Sequence, residues 1–189
     1  RHSATALFLR YLPQMATMII PLLYIVHLNR GSFRELGLLR PRLLDPLVAI
    51  PVLVVALVFA YASAIALYSF RSSYSQATAA RLDGAFPHGH TPLDILSIIF
   101  ACLAIGFGEE LLFRGYVLTR WQKISGSAPQ AVLVSSLLFS LSHTYQGLAG
   151  MVSSAAVGVA FALAFLTLRR LWPIAIAHAL MDILFFLAR

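Results

Sequence analysis

Long apolar runs separated by short polar connections set the rhythm of this chain. Six runs stand out, over about 6–28, 46–70, 93–118, 128–143, 148–168 and 171–188. A helix rises about 1.5 Å per residue, so about 20 apolar residues cross the hydrocarbon of a bilayer. The fourth run, "APQAVLVSSLLFSLSH", is shorter than that. It is expected to be tilted, partly outside the bilayer, or buried against its neighbours. Pro129 and Pro173 suit the first turns of the fourth and sixth helices, where a missing N–H leaves no bond unmade. There is no internal repeat. The pattern predicts an all-α, polytopic transmembrane bundle of about six membrane-embedded helices, a single integral membrane domain over 1–189. Because the chain begins with Arg1, one more N-terminal helix is expected ahead of it.

Composition sharpens this. The chain is 60% hydrophobic and only 11% charged, where a soluble domain carries about 25% charged residues. Its mean hydropathy is +0.84. The net charge of +7 sits largely in the connections and forms no basic face interleaved with aromatics, so nucleic acid is not an expected partner. Arg30, Arg34, Arg40 and Arg42 share one connection, Arg120 and Lys123 a second, and Arg169 and Arg170 a third. These alternate onto one side, which the positive-inside rule assigns to the cytoplasm of a multi-pass protein of the cell membrane. The single cysteine, Cys102, excludes an internal disulfide and reads as a small buried hydrophobe.

The candidate chemistry lies in the few polar residues inside the runs. Only seven residues are acidic, and Glu109, Glu110 and Asp182 fall within predicted spans. Ionisable groups at that depth are disfavoured by about 2.5–3.5 kcal/mol and usually face a bundle interior or a wet cavity. In "GFGEELLFRGY", Glu110 and Arg114 are four apart and can pair along a helix. Glu109 points about 100° round the helix from Glu110, so one carboxylate is satisfied and the other is left free. The fourth run ends "FSLSH", with Phe139 and His143 one turn apart. The sixth contains "HALMD", with His178 and Asp182 at i and i+4. One free carboxylate, two histidines and a further acid make a general-base set for activating water, or a ligand set for a metal ion. HExxH and GxSxG are both absent.

The three stretches resemble, in order, the EExxxR, FxxxH and Hxxx(N/D) motifs of the CPBP family. These are the type II CAAX prenyl endopeptidases and their bacteriocin-processing and self-immunity relatives. The resemblance covers the catalytic-motif helices, about 93–186. It implies an intramembrane endopeptidase acting on a membrane-associated peptide or protein within the bilayer. Glu109 would activate the attacking water, His143 would help hold it, and His178 and Asp182 would stabilise the oxyanion or orient the substrate carbonyl. Glu110 and Arg114 would support them. No cofactor is expected, although zinc on His143, His178 and Asp182 with Glu109 as base is a chemically reasonable alternative. A membrane scaffold or immunity protein that only binds a partner, and a proton-coupled transporter, are the competing classes.

Two points depart from a simple transfer. Prenyl-protease members usually carry Asn at the last motif position, where this chain has Asp182. Asn can donate to an oxyanion and an ionised Asp cannot. Asp182 is therefore expected either to hold His178 protonated or to carry a proton itself. The second point is depth. If the fourth helix ran straight across from the boundary, His143 would lie roughly 20 Å in, too deep to meet Glu109 and His178. The region around 119–130 is therefore expected to project into the cytosol, lifting a tilted fourth helix to the common level.

Overall fold

The computed structural model describes residues 32–67 and 91–187, together with scattered positions between 13 and 28. Among the described residues all regular structure is helical, and the chain is an all-α membrane bundle. Helix α1 spans Asp45–Ala66, α2 Pro92–Ser125, α3 Ala128–Ser142, α4 Gly147–Leu168 and α5 Trp172–Leu187. Among the described residues, three helices are long and apolar enough to cross a membrane: α1, α2 and the run Thr144–Leu168 that contains α4. The expected first segment lies mostly outside the described residues. Its described positions are helical, and Leu22 and Val26 are buried in the common core. Much of the polar connection before α2 likewise lies outside them.

Local chemistry explains where the helices start and stop. At the head of α2, the Thr91 hydroxyl oxygen accepts from the Asp94 N–H at 3.1 Å, and the Asp94 carboxylate accepts from the Thr91 N–H at 3.3 Å. This reciprocal box satisfies two donors that a helix start leaves orphaned. Pro92 follows in the first turn. At the far end Gly126 adopts φ 66° and closes the helix, a left-handed cap that glycine takes without strain. Ser127 then caps α3 through the Gln130 N–H, and Pro129 sits in its first turn.

Helix α2 is longer than the expected 93–118. It runs for 34 residues, about 50 Å. Glu109 and His143 stand 17 residues either side of Gly126, so the α2–α3 hairpin brings them to one level about 25 Å below its tip. His178 lies only six residues into α5, about 9 Å from its start. The hairpin therefore overshoots the start of α5 by roughly 15 Å along the axes. That overshoot is the relative lift that His143 requires. At 15 and 16 residues, α3 and α5 are shorter than a full span. For α5 this agrees with the expected 171–188 to a residue at each end, with α4 closed at a left-handed Arg169, φ 53°, and α5 starting at Trp172.

The helices close into a ring. Helix α1 packs on α4 and α5, α2 on α5 and α3, and α3 on α4. Small residues set the closest approaches, since apolar helices in lipid associate through close packing. A Cβ on Gly106 would lie 2.9 Å from the Ala179 backbone N and 3.0 Å from the Ala175 carbonyl. Cys102 is buried nearby, with Ile98, against Ile183 and Phe186 of α5.

The connection before α1 is docked over one end of the ring. Leu36 is fully buried, and the Gly37 carbonyl accepts from the Leu171 N–H at 3.0 Å. Asp45, at the start of α1, takes two bonds of 2.8 and 2.7 Å from Arg170 Nη2. Lys123 reaches Glu35 at 2.8 Å, and this hydrogen bond holds the Glu35 carboxyl below its ordinary range. These contacts gather the three basic connections at one end, as their alternation along the chain requires. Arg170 was expected to set orientation alone, yet it is buried and paired. The signal was Asp45, an acid at a helix start that the sequence reading left without a partner.

Replacing Gly106 by leucine drives a side chain into the α5 backbone. Overpacking of this kind costs about 1–3 kcal/mol. Thermal unfolding in detergent should show a clearly lowered midpoint for Gly106→Leu. Phe100→Ala, on an exposed position of the same helix, should leave the midpoint nearly unchanged.

Candidate active site

The site is built where α2 changes its winding. After Glu110 the helix passes into a π-helical stretch, Leu111–Leu118, and returns to α geometry over Thr119–Ser125. Such widened turns leave backbone groups to be satisfied and recur at functional sites. Here the Ser135 hydroxyl on α3 donates to the Phe113 carbonyl at 2.8 Å. The Thr119 hydroxyl donates to the Gly115 carbonyl, with the Tyr116 carbonyl 3.1 Å away.

Behind the site lies a fully buried ion pair. Arg114 Nη1 donates to Glu110 Oε1 at 2.8 Å, and both side chains are at zero exposure. The pairing expected from the i, i+4 spacing is present. The guanidinium carbon sits 4.4 Å from the centre of the Phe139 ring and 5.5 Å from that of Phe161. Arg114 Nη2 donates to the Gly158 carbonyl at 3.2 Å. A Cβ on Gly158 would lie 3.4 Å from that nitrogen and 3.2 Å from Ser136, so the absence of a side chain gives the arginine its berth.

Glu110 has a second partner that the sequence did not reveal. His178 Nδ1 lies 2.7 Å from the same Glu110 Oε1. A carboxylate only accepts, so Nδ1 carries the proton and donates. This orients the ring, turning Nε2 toward Glu109 Oε2 at 3.8 Å and Asp182 Oδ2 at 3.7 Å. Phe161 stacks on the ring at 5.3 Å, and Phe139 meets it edge-on at 5.8 Å.

His143 completes the front. Its Nδ1–H donates to the Phe139 carbonyl at 2.8 Å, and its Nε2 faces Glu109 Oε2 at 4.0 Å. Glu109 Oε2 is thus opposed by two imidazole nitrogens, yet it is buried and has no hydrogen-bond partner. The polar groups form two layers. Glu110 and Arg114 are sealed at the back, and His178 is nearly so. Glu109, His143 and Asp182, at 17, 12 and 26% side-chain exposure, line the open side. All six residues singled out in the sequence come together. Phe161, Gly158 and Ser135 were missed, because they lie outside the three motifs and carry no charge.

The donor types would suit zinc, but their spacing does not. Tetrahedral zinc with ligands at about 2.0–2.2 Å holds neighbouring donors about 3.4 Å apart. Of the three ligands that reading needs, His178 Nε2 and Asp182 Oδ2 stand 3.7 Å apart. Among the described residues no group of three or more His, Cys, Asp or Glu is placed to hold a metal ion. As arranged, the residues do not fit zinc. A water with legs of about 2.8 Å bridges a 4.0 Å gap with ease.

Comparison with known proteins gives a family match. The family model for Rce1-like type II CAAX prenyl endopeptidases covers residues 91–184. That range holds all six site residues and about half of the chain. No curated protein matches the chain, and no solved structure does.

The buried pair can be tested by breaking and then replacing it. Arg114→Met leaves Glu110 buried without its cation, and removing one partner of such a pair costs about 3–5 kcal/mol. The double variant Glu110→Gln/Arg114→Met should recover much of that loss. The check is chemical denaturation of the purified protein in detergent.

Proposed function

Since residues 91–184 place the chain in the Rce1-like family of type II CAAX prenyl endopeptidases, we propose that it is an intramembrane endopeptidase whose base is Glu109. The observation that carries this reading is the buried, unpartnered Glu109 Oε2, with the Nε2 atoms of His143 and His178 at 4.0 and 3.8 Å. A water held between Glu109 and His143 fits the first gap. Because the His143 Nδ1–H is taken by the Phe139 carbonyl, its Nε2 is free to accept from that water.

The reaction follows from these placements. Glu109 takes a proton from the water as its oxygen attacks the scissile carbonyl. The carbonyl oxygen becomes an oxyanion, and His178, protonated at Nε2 while Nδ1–H donates to Glu110, gives it a hydrogen bond. As the C–N bond breaks, Glu109 passes its proton to the leaving nitrogen. The products are a carboxylic acid and an amine. Donors fixed before reaction stabilise developing charge without reorganising, and Glu110 fixes this one. In this scheme Asp182 adds negative charge beside His178 Nε2 and favours its protonated form.

The substrate is a membrane-associated peptide or protein. The protein is a multi-pass protein of the cell membrane, and its reaction needs no metal. The polar front opens beside the short turn between α3 and α4, where Tyr145 stacks on His143 at 5.9 Å. Helix α3 ends at this level while α2 runs on toward Pro92. The shortness of α3 gives a substrate and its water a way in from one side.

Purified protein in detergent should cleave a susceptible peptide. Glu109→Ala and Glu109→Gln should each lower kcat/KM by about 10²–10⁴, the usual contribution of a positioned base. A chelator should leave wild-type activity unchanged. Equal cleavage by wild type and Glu109→Ala would sink the mechanism, and loss of activity on chelation would return the zinc reading.

A further inference from the structure

The charges of the site do not balance. Three carboxylates meet there, Glu109, Glu110 and Asp182, against one arginine, Arg114. Glu110 and Arg114 cancel each other at the back. His178 supplies one further positive charge when its ring is protonated. His143 faces Glu109 through the nitrogen that accepts from the water, so it stays neutral. One negative charge is left without a partner. Among the described residues, neither Glu109 nor Asp182 has a lysine or arginine within ion-pair distance; their basic neighbours are the two imidazoles.

The place of that surplus can be read from the geometry. Glu109 is the deeper of the two open carboxylates and faces both imidazoles. Asp182 lies one turn further along α5, away from Glu110 and Arg114, and is the most open polar side chain of the site at 26%. His178 Nε2 stands 3.7 Å from Asp182 Oδ2 and 3.8 Å from Glu109 Oε2, so it is exposure, not distance to His178, that sets Asp182 apart. A partly open carboxylate set among apolar helices strongly favours a cation brought in beside it.

Resting on the protease reading above, we propose that Asp182 is a specificity residue that receives a cationic group of the substrate, an ammonium or guanidinium close to the scissile bond. The group is carried either by a lysine or arginine side chain or by a free amino terminus. The site then becomes neutral only when the correct substrate is bound. A neutral peptide leaves Asp182 with its charge uncompensated and is turned over more slowly.

The experiment uses the full chain in detergent and peptides that it cleaves. Lysine or norleucine is placed in turn at each of three positions on either side of the scissile bond. Every peptide is made with a free and with an acetylated amino terminus. A hydrogen bond to a charged group contributes about 1.5–3 kcal/mol, so wild type should prefer the cation by about tenfold or more in kcat/KM at one position. A preference that follows the lysine assigns the cation to a side chain, and one lost on acetylation assigns it to the terminus. In Asp182→Asn the ratio should fall to about threefold or less, whatever its absolute rate. Should that variant be inactive, the affinities of the same peptides are compared between Glu109→Gln and Glu109→Gln/Asp182→Asn by fluorescence anisotropy. The preference should be present in the first and absent in the second. Equal rates for lysine and norleucine peptides in wild type, or a preference that survives Asp182→Asn, overturn the proposal while leaving the Glu109 mechanism in place. Cleavage of no peptide, or cleavage indifferent to Glu109→Ala, overturns both.

Discussion

A guanidinium at zero exposure inside an apolar ring is the constraint around which the molecule is arranged. Arg114 needs an opposite charge, acceptors for its N–H groups and a polarisable bed, because an isolated charge there is far too unfavourable to persist. Glu110 provides the charge, Gly158 a carbonyl, and Phe139 and Phe161 the ring faces. These groups come from α2, α3 and α4. His178 brings in α5 through the same Glu110 oxygen. One ion pair therefore ties four helices to a common centre. It also aims the histidine whose other nitrogen faces the open carboxylates.

Much of this was legible in the chain, for identifiable reasons. Glu110 and Arg114 stand at helical spacing, and the pair forms as that spacing implies. His178 and Asp182 share a face for the same reason. The meeting of Glu109 with His143 could be read from their equal distance to Gly126, which makes one hairpin bring them level. Other features have no such signature. The π-helical turn replaces a helix with a slightly wider helix, and apolar periodicity is too coarse to register it. The bond from His178 to Glu110 crosses between α5 and α2, so no spacing within either helix announces it. Gly158 looks like any small residue of an apolar span. Only the arginine beneath it makes the missing side chain matter. The clasp of Asp45 with Arg170 depends on how a connection docks, and docking is set by the assembled end of the ring.

The two layers of the site divide the electrostatic work. The rear layer, Glu110 with Arg114, is fully buried and internally neutral. The front layer is partly open and holds the groups left unpaired. This separation lets a membrane protein keep polar chemistry at depth without flooding its core. The short α3 is what exposes the front layer.

The π-helical stretch also has a consequence for the chain's history and its tolerance of change. The wider winding of Leu111–Leu118 shifts the phase between the two halves of α2. The half before it presents Gly106 and Glu109 to α5 and the site, while the half after it lies against α3 and the docked connection. Deleting one residue while the remaining turns kept their winding would turn one half by roughly 80–100° relative to the other. Either half could then keep its contacts, but not both together. Length in this segment is therefore as fixed as the identity of its charged residues, and single-residue insertions or deletions should be better borne near Gly126.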